Sequence, residues 1–238
     1  MRFQPAYAVA VAVLALVGCA PTNVQTQFEN DTIVARPQRV LVYDFAFSPD
    51  QVQLDSGIAA RVQEAMQGTP PNVQEYQIGR SVARIISDQL VAKISAMGLP
   101  AEHAYGAPRN WMNSVLVEGQ LLSVDQGNRT ARLVIGLGAG HSDVDSEVQV
   151  YATGERGLQK LAEFSANARS GYKPGAAETM GAGAAAGTIA TAAVVTAGTS
   201  VLSETLSADV QADAKRTADA VAAQLQQYFA QQGWIAPQ

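Results

Sequence analysis

Asp143-Val144-Asp145-Ser146-Glu147-Val148-Gln149-Val150-Tyr151 alternates without a break, valines on one side and acids on the other. A side-chain period of two puts one face on a core and the other in water, the habit of antiparallel sheets. Residues 153–157 turn the chain, and Lys160 to Arg169 alternates again with Ala162, Phe164, Ala166 and Ala168 facing one way. Upstream, Ser114 to Asp125 reads as one long strand, closed by Gln126-Gly127-Asn128, where Gly and Asn tolerate positive φ. Arg129 to Ile135 is expected to return as a further strand before Gly136-Leu137-Gly138-Ala139-Gly140 interrupts the pattern. Successive hairpin-like connections of this kind predict a β-meander.

Working outward, Arg39-Val40-Leu41-Val42-Tyr43-Asp44-Phe45 is a compact β-branched and aromatic run, expected as a strand buried on both faces. Residues 46–71 are less regular. A helix is expected from Asn72, with Glu75 at capping-box spacing, and Ile78, Val82, Ile85, Ile86, Leu90, Ile94 and Met97 form its apolar stripe. Gly98 and Pro100 end it. A second amphipathic helix carries Leu206, Val210, Ala214, Thr217, Val221, Leu225 and Tyr228 or Phe229, and Gly233 closes it. The fold class is therefore α/β in the α+β sense: a mixed, largely antiparallel sheet with a meander, packed by two amphipathic helices. A Gly/Ala-rich segment, 175–203, lies between them, and its stretch 180–202 carries no charge. Its length suits a membrane span and its GxxxG spacing suits close helix contact. Its Ala, Gly and Thr content favours a buried, oligomer-facing or loop role instead. The expected division is 1–18 leader, 19–36 flexible tether, 37–174 α/β core, 175–203 Gly/Ala-rich segment and 204–235 C-terminal helix on the same domain.

The N-terminus begins with Arg2, continues apolar from Ala6 to Val17 and ends in Leu16-Val17-Gly18-Cys19. This is the layout of a secretory signal, and the apolar run is short of the roughly 20 residues a membrane span needs. A cleavage site followed by cysteine resembles the lipobox of bacterial lipoproteins, Leu-x-Gly-Cys. That resemblance implies cleavage between Gly18 and Cys19, a thioether from Cys19 to diacylglycerol, and acylation of the new amine. Ala20 departs from the aspartate that in this family favours retention at the inner membrane, so the implied address is the periplasmic face of the outer membrane.

Cys19 is the only cysteine, which excludes an internal disulfide and a thiolate metal site. A net charge of −5 with no basic stripe argues against nucleic acid as a partner. The glycines of 136–140 have G-x-G-x-G spacing and precede a strand, so they predict a bulge or a close backbone crossing rather than a dinucleotide cradle. His141 with Asp143, Asp145 and Glu147 invites a metal, but a solvated sheet face explains the acids, with Arg129, Arg132 and Arg169 as cross-strand partners. The two histidines, His103 and His141, stand near no G-x-S-x-G elbow, and Asp44 and Asp55 follow the first strand without accompanying chemistry. No catalytic residue, metal ligand or cofactor is expected, and the chain is read as non-enzymatic.

Val40 to Phe45, Val117-Glu118-Gly119, Gly127-Asn128-Arg129 and Ile135 to Gly140 together resemble an uncharacterised group of bacterial lipoproteins, domain of unknown function four-four-one-zero, over roughly residues 37–232. The resemblance implies an α/β periplasmic domain and brings no activity. A looser, fold-level similarity is to the N-terminal domain of the Tol-Pal translocation protein and to curli-secretion lipoproteins. The expectation is a lipid-anchored binding or assembly module of the cell envelope. Its partners would be membrane lipid through Cys19 and envelope proteins or further copies through 180–202. The alternative is an oligomeric, membrane-inserting or secretion-complex component that uses 180–202.

Overall fold

The computed structural model of the protein describes residues 22–106, 112–135, 139–154, 157–170 and 206–236. One seven-stranded mixed sheet runs β1 (Thr22–Glu29), β7 (Gly157–Arg169), β6 (Asp143–Gly154), β5 (Ser114–Asp125), β2 (Arg39–Tyr43) and β4 (Ala101–Ala104). The short strand β3 (Val52–Gln53) also pairs with β5. The β1–β7, β7–β6 and β6–β5 pairs are antiparallel, while β2 is parallel to both β5 and β4. The helices are α1 (Ile58–Gln67), α2 (Pro71–Ala96), α3 (Arg129–Val134) and α4 (Ala208–Gln231). This is the expected α+β class, with α2 and α4 covering one face of an open sheet.

The alternation decides which face is covered. Val144, Val148 and Val150 of β6 and Ala162, Phe164 and Ala166 of β7 are buried with Ile86 and Leu90 of α2 and Val221 and Leu225 of α4. Asp143, Asp145, Glu147 and Gln149 lie half-buried on the other face. Side chains on α4 at the sheet are small, with Ala214, Ala218 and Ala222 all buried, which brings the helix close to an alanine-rich strand. Leu41 and Leu116 are buried although they lie outside the helix-covered cluster, so β2 is covered on both faces as its sequence suggests. Gly98 (φ +87°) and Gly233 (φ +73°) end α2 and α4 in the left-handed conformation that closes a helix.

Four expectations are corrected. Residues 22–29, placed in the tether, form edge strand β1 along the whole of β7, from Thr22 opposite Ala168 to Glu29 opposite Ala162. Thr22, Val24, Thr26 and Phe28 alternate with Asn23, Gln25, Gln27 and Glu29, a weak period-two signal, but only Val24 packs against the core, so backbone pairing does most to hold the strand. Residues 30–36 are also fastened: Val34 N–H donates to Gln232 Oε1 at 2.9 Å and Trp234 Nε1–H donates to Val34 O at 2.8 Å. Residues 129–134 are helix α3 and not a returning strand. The Asn128 side chain caps it by accepting from Ala131 N–H at 2.8 Å, which outweighs the β-branched composition. Helix α2 begins at Pro71 with Pro70 at its cap, so Asn72 lies in the first turn and does not cap it, because proline at the first position needs no N–H partner. Finally, 46–71 contains β3 and α1, and Ala101–Ala104 adds β4, elements too short or too exposed to show in the pattern.

The glycines flanking α3 meet at a close backbone crossing. Gly127 (φ +67°) has no room for a side chain: a Cβ would stand 2.2 Å from His141 O and 2.4 Å from Gly140 O. Gly140 (φ +67°) would collide with Asn128 O at 2.5 Å. That matches the crossing expected of this glycine run, whose residues 136–138 lie outside the described residues. Gly68 shares the conformation (φ +66°) with open space around it. Gly68→Ala should therefore cost about 1–2 kcal/mol from backbone strain alone. Gly127→Ala should cost a further ~1–3 kcal/mol through displacement of the opposing backbone. Urea unfolding midpoints of the two variants measure the difference.

Candidate functional site

Gly18 and Cys19 lie outside the described residues, as does 171–205 with its uncharged stretch 180–202. What the structure does fix is where these segments join the fold. Thr22 stands opposite Ala168, Asp143 opposite Arg169, and Asp125 opposite Asp143. The start of β1, the end of β7, the start of β6 and the end of β5 therefore share one end of the sheet. Ser170, the last described residue before 171–205, donates its N–H to Ser142 O at 2.9 Å at that end. Leu206 and Ser207 lead straight from 171–205 into α4, whose Asp213 is bonded to Ser142.

Ion pairs lock this end together. Asp55 accepts from Gly57 N–H at 2.8 Å and Arg129 N–H at 3.1 Å, tying the start of α1 to the start of α3. Arg132 Nε lies 3.2 Å from Asp209 on α4, and its Nη1 donates to Gln126 O at 3.0 Å and to Gly140 O. Arg169 reaches Asp143 at 3.0 Å. Of the three arginines expected to pair with sheet acids, only Arg169 does so; Arg129 and Arg132 hold helices instead.

Asp213 is fully buried, accepts from Ser142 Oγ at 2.5 Å and pairs with Arg216, whose Nη2 also donates to Arg169 O at 3.2 Å. Burial pushes its carboxyl up to about 6, and Asp209 and Asp143 add repulsion; the Ser142 bond and the Arg216 charge pull it down. Sequence reasoning missed this group because Ser142 lies 71 positions away in the chain, although Arg216 stands only three residues on.

On the uncovered face, the acids of β6 are spent on neighbours. Asn167 donates to Asp143 at 2.7 Å and to Asp145, and Gln149 donates to Glu147 at 2.7 Å. Lys160 bonds Glu163 and holds its carboxyl below the ordinary range. An open groove of about 380 Å³ crosses this face beside Asn23, Gln25, Leu122 and Asp145. Among the described residues no group of three or more His, Asp or Glu is placed to hold a metal ion.

A third cluster stands where β2 ends. Ser87 Oγ donates to Asp44 Oδ1 at 2.7 Å, His103 Nε2 lies 2.6 Å from Asp88 Oδ1, and His103 Nδ1 lies 3.9 Å from Asp44. Asp44 and His103 are thus brought together, while Asp55 and His141 are at the locked end. Ser87 Oγ also stands 3.1 Å from Ala83 O and 3.1 Å from Arg84 O, so its hydroxyl faces a carboxylate and two helix carbonyls rather than the imidazole.

The protein is an α+β domain with α2 and α4 on one face of an open mixed sheet, and both the N-terminal segment and 171–205 join it at one end. It belongs to the family described as "Domain of unknown function (DUF4410)", whose model matches residues 40–187. No match to a curated protein is found. Two solved structures of a PelC dodecamer from Paraburkholderia phytofirmans are similar at 12% and 11% identity, with TM-scores of 0.37 and 0.34. Each likeness covers 67% of this chain, and 90% and 89% of the respective PelC chains. The hypothetical protein CT253 from Chlamydia trachomatis is similar at 8% identity and a TM-score of 0.40, over 81% of this chain and 97% of that one.

The buried carboxyl gives a pH signature. Between about 3.8 and 6 the folded protein holds a proton at Asp213 that the unfolded chain has released. This contribution to stability is complete below that window and is lost as pH rises through it. Relative to Asp213→Asn, which cannot titrate, the wild type should lose up to about 1.4 kcal/mol per pH unit across the window. Parallel urea titrations at pH 4, 5, 6 and 7 measure it.

Proposed function

We propose that this protein is a lipid-anchored, non-enzymatic binding or assembly module of the bacterial cell envelope, held by Cys19 at the periplasmic face of the outer membrane. The observation that carries the reading is the sequence Leu16-Val17-Gly18-Cys19, which ends an apolar leader and contains the only cysteine. Acyl chains contribute about 0.8 kcal/mol per buried CH2, and more than one chain gives stable attachment. The sharing of the Ser87 hydroxyl among Asp44, Ala83 O and Arg84 O, and the pairing of the sheet acids with Asn167, Arg169 and Lys160, support a role in binding over one in catalysis. Its partners are membrane lipid, envelope proteins and further copies of the chain.

The intact mass of protein purified from its native host should show loss of residues 1–18 and addition of a diacylglyceryl group and an amide-linked acyl chain. A free thiol or a retained leader would overturn the reading. Cys19→Ser should move the protein from the membrane pellet to the carbonate-soluble fraction. Retention in the pellet after carbonate would instead favour insertion of 180–202.

A further inference from the structure

Helix α1 presents an apolar stripe that nothing among the described residues covers. Ile58, Val62 and Met66, spaced at four, are 75%, 51% and 83% exposed. Residues four apart share one side of a helix, so the three form a single strip. Ile135, at the end of α3, is 54% exposed, and Val73 in the first turn of α2 is 40% exposed. An amphipathic helix normally spends its apolar face on a core.

The position of this helix identifies its partner. Its start is fixed to the end of β5: Ser56 N–H donates to Gly127 O at 3.1 Å, and Asp55 bridges Gly57 to Arg129. The end of β5 is the end at which β1 begins. Across the sheet from β1 to β5 are three strand spacings, about 14 Å, with β3 one further. Only Ala20 and Pro21 separate Cys19 from Thr22, three Cα steps and so a reach of about 11 Å at full extension. With Cys19 held in a leaflet, this end of the sheet cannot stand away from the bilayer.

We infer that the end of the sheet bearing α1 is a membrane-contacting face, and that Ile58, Val62 and Met66 rest in the interfacial region of the leaflet that holds the Cys19 lipid. The inference builds on the lipid anchor proposed above. Interfacial helices of this kind lie along the surface with their apolar side among the headgroups. Leu158, also apolar and 50% exposed, begins β7 and so belongs to the opposite end, where it faces water.

A thioether at Cys19 leaves any introduced cysteine as the only thiol, so single probes can be placed on the full lipidated chain. Met66→Cys, Val62→Cys and Leu158→Cys would each carry an environment-sensitive fluorophore. The proteins are reconstituted in phosphatidylethanolamine and phosphatidylglycerol vesicles that contain headgroup-level nitroxide lipid. Quenching at 62 and 66 should exceed that at 158 at least two-fold, with a blue-shifted emission. Equal quenching at 66 and 158 would overturn the inference. A blue shift at 66 that grows with protein density and is insensitive to nitroxide would also overturn it, and would assign the stripe to a second copy. Intact mass on the same samples separates the two levels: a free Cys19 thiol defeats the anchor itself, whereas a lipidated Cys19 with an unquenched probe at 66 defeats only the membrane face. Ile58→Ser/Val62→Ser/Met66→Ser with a probe at Ala65→Cys gives a second check. These exposed changes should leave the unfolding midpoint intact while lowering quenching at least two-fold relative to Ala65→Cys alone.

Discussion

Period-two registration across β5, β6 and β7 is the constraint on which the remainder of this structure depends. Val148 opposite Phe164 and Val150 opposite Ala162 present one continuous apolar sheet face to α2 and α4. A slip of one residue would turn Asp143, Asp145 and Glu147 into that face and expose the valines. The cost would be several buried, unpaired carboxylates, far beyond the few kcal/mol by which a domain is stable. The close approach of α4 follows from the same register, since the alanines of β7 meet the alanines of α4 only when both point inward.

Registration also gives the molecule two unlike ends. Because the strands are antiparallel from β1 to β5, the start of β1, the end of β7 and the end of β5 lie side by side. Charged groups concentrate there in specific pairs, Asp55 with Arg129, Arg132 with Asp209, Arg169 with Asp143 and Arg216 with Asp213. Arg132 and Asp213 are largely or wholly removed from water, so their pairs brace the junctions at which 171–205 leaves and rejoins the fold. The crossing of Gly127 and Gly140 serves the same end by backbone contact alone.

What could be read in the sequence was whatever buries side chains periodically. The β6 and β7 strands, the long β5, the β2 run and both long helices carry apolar periods imposed by the core. Strand β1 carries only a weak one, Val24 and Phe28 with two threonines against Asn23, Gln25, Gln27 and Glu29, and its pairing is made mostly by backbone groups common to every sequence. The Arg129–Ile135 segment misleads for a related reason. Composition favours a strand, but one capping side chain, Asn128, together with the crossing at Gly140 fixes a helix. The Asp213 cluster and the Asp44–Ser87–Asp88–His103 cluster assemble residues 15 to 71 positions apart, contacts that one sequence does not announce. Helix α1 was illegible because its apolar residues face outward, where no core demands them.

Strand β1 changes what a lipid anchor at Cys19 would do. A flexible linker through residue 36 would let the domain tumble several nanometres from the leaflet. Pairing of 22–29 with β7, and fastening of Val34 to Gln232 and Trp234, leave only Ala20 and Pro21 between the cysteine and the first strand. Three apolar side chains on a ten-residue helix contribute only a few kcal/mol when partly buried, too little for lasting membrane binding from solution. Held on so short a leash, the same helix would meet the surface at an effective concentration in the millimolar range. Weak contact would then suffice to set orientation, because such an anchor would already have met the cost of bringing the domain to the membrane. The polar sheet face and the helix layer would consequently stand at fixed attitudes to the bilayer, as an oriented binding platform requires.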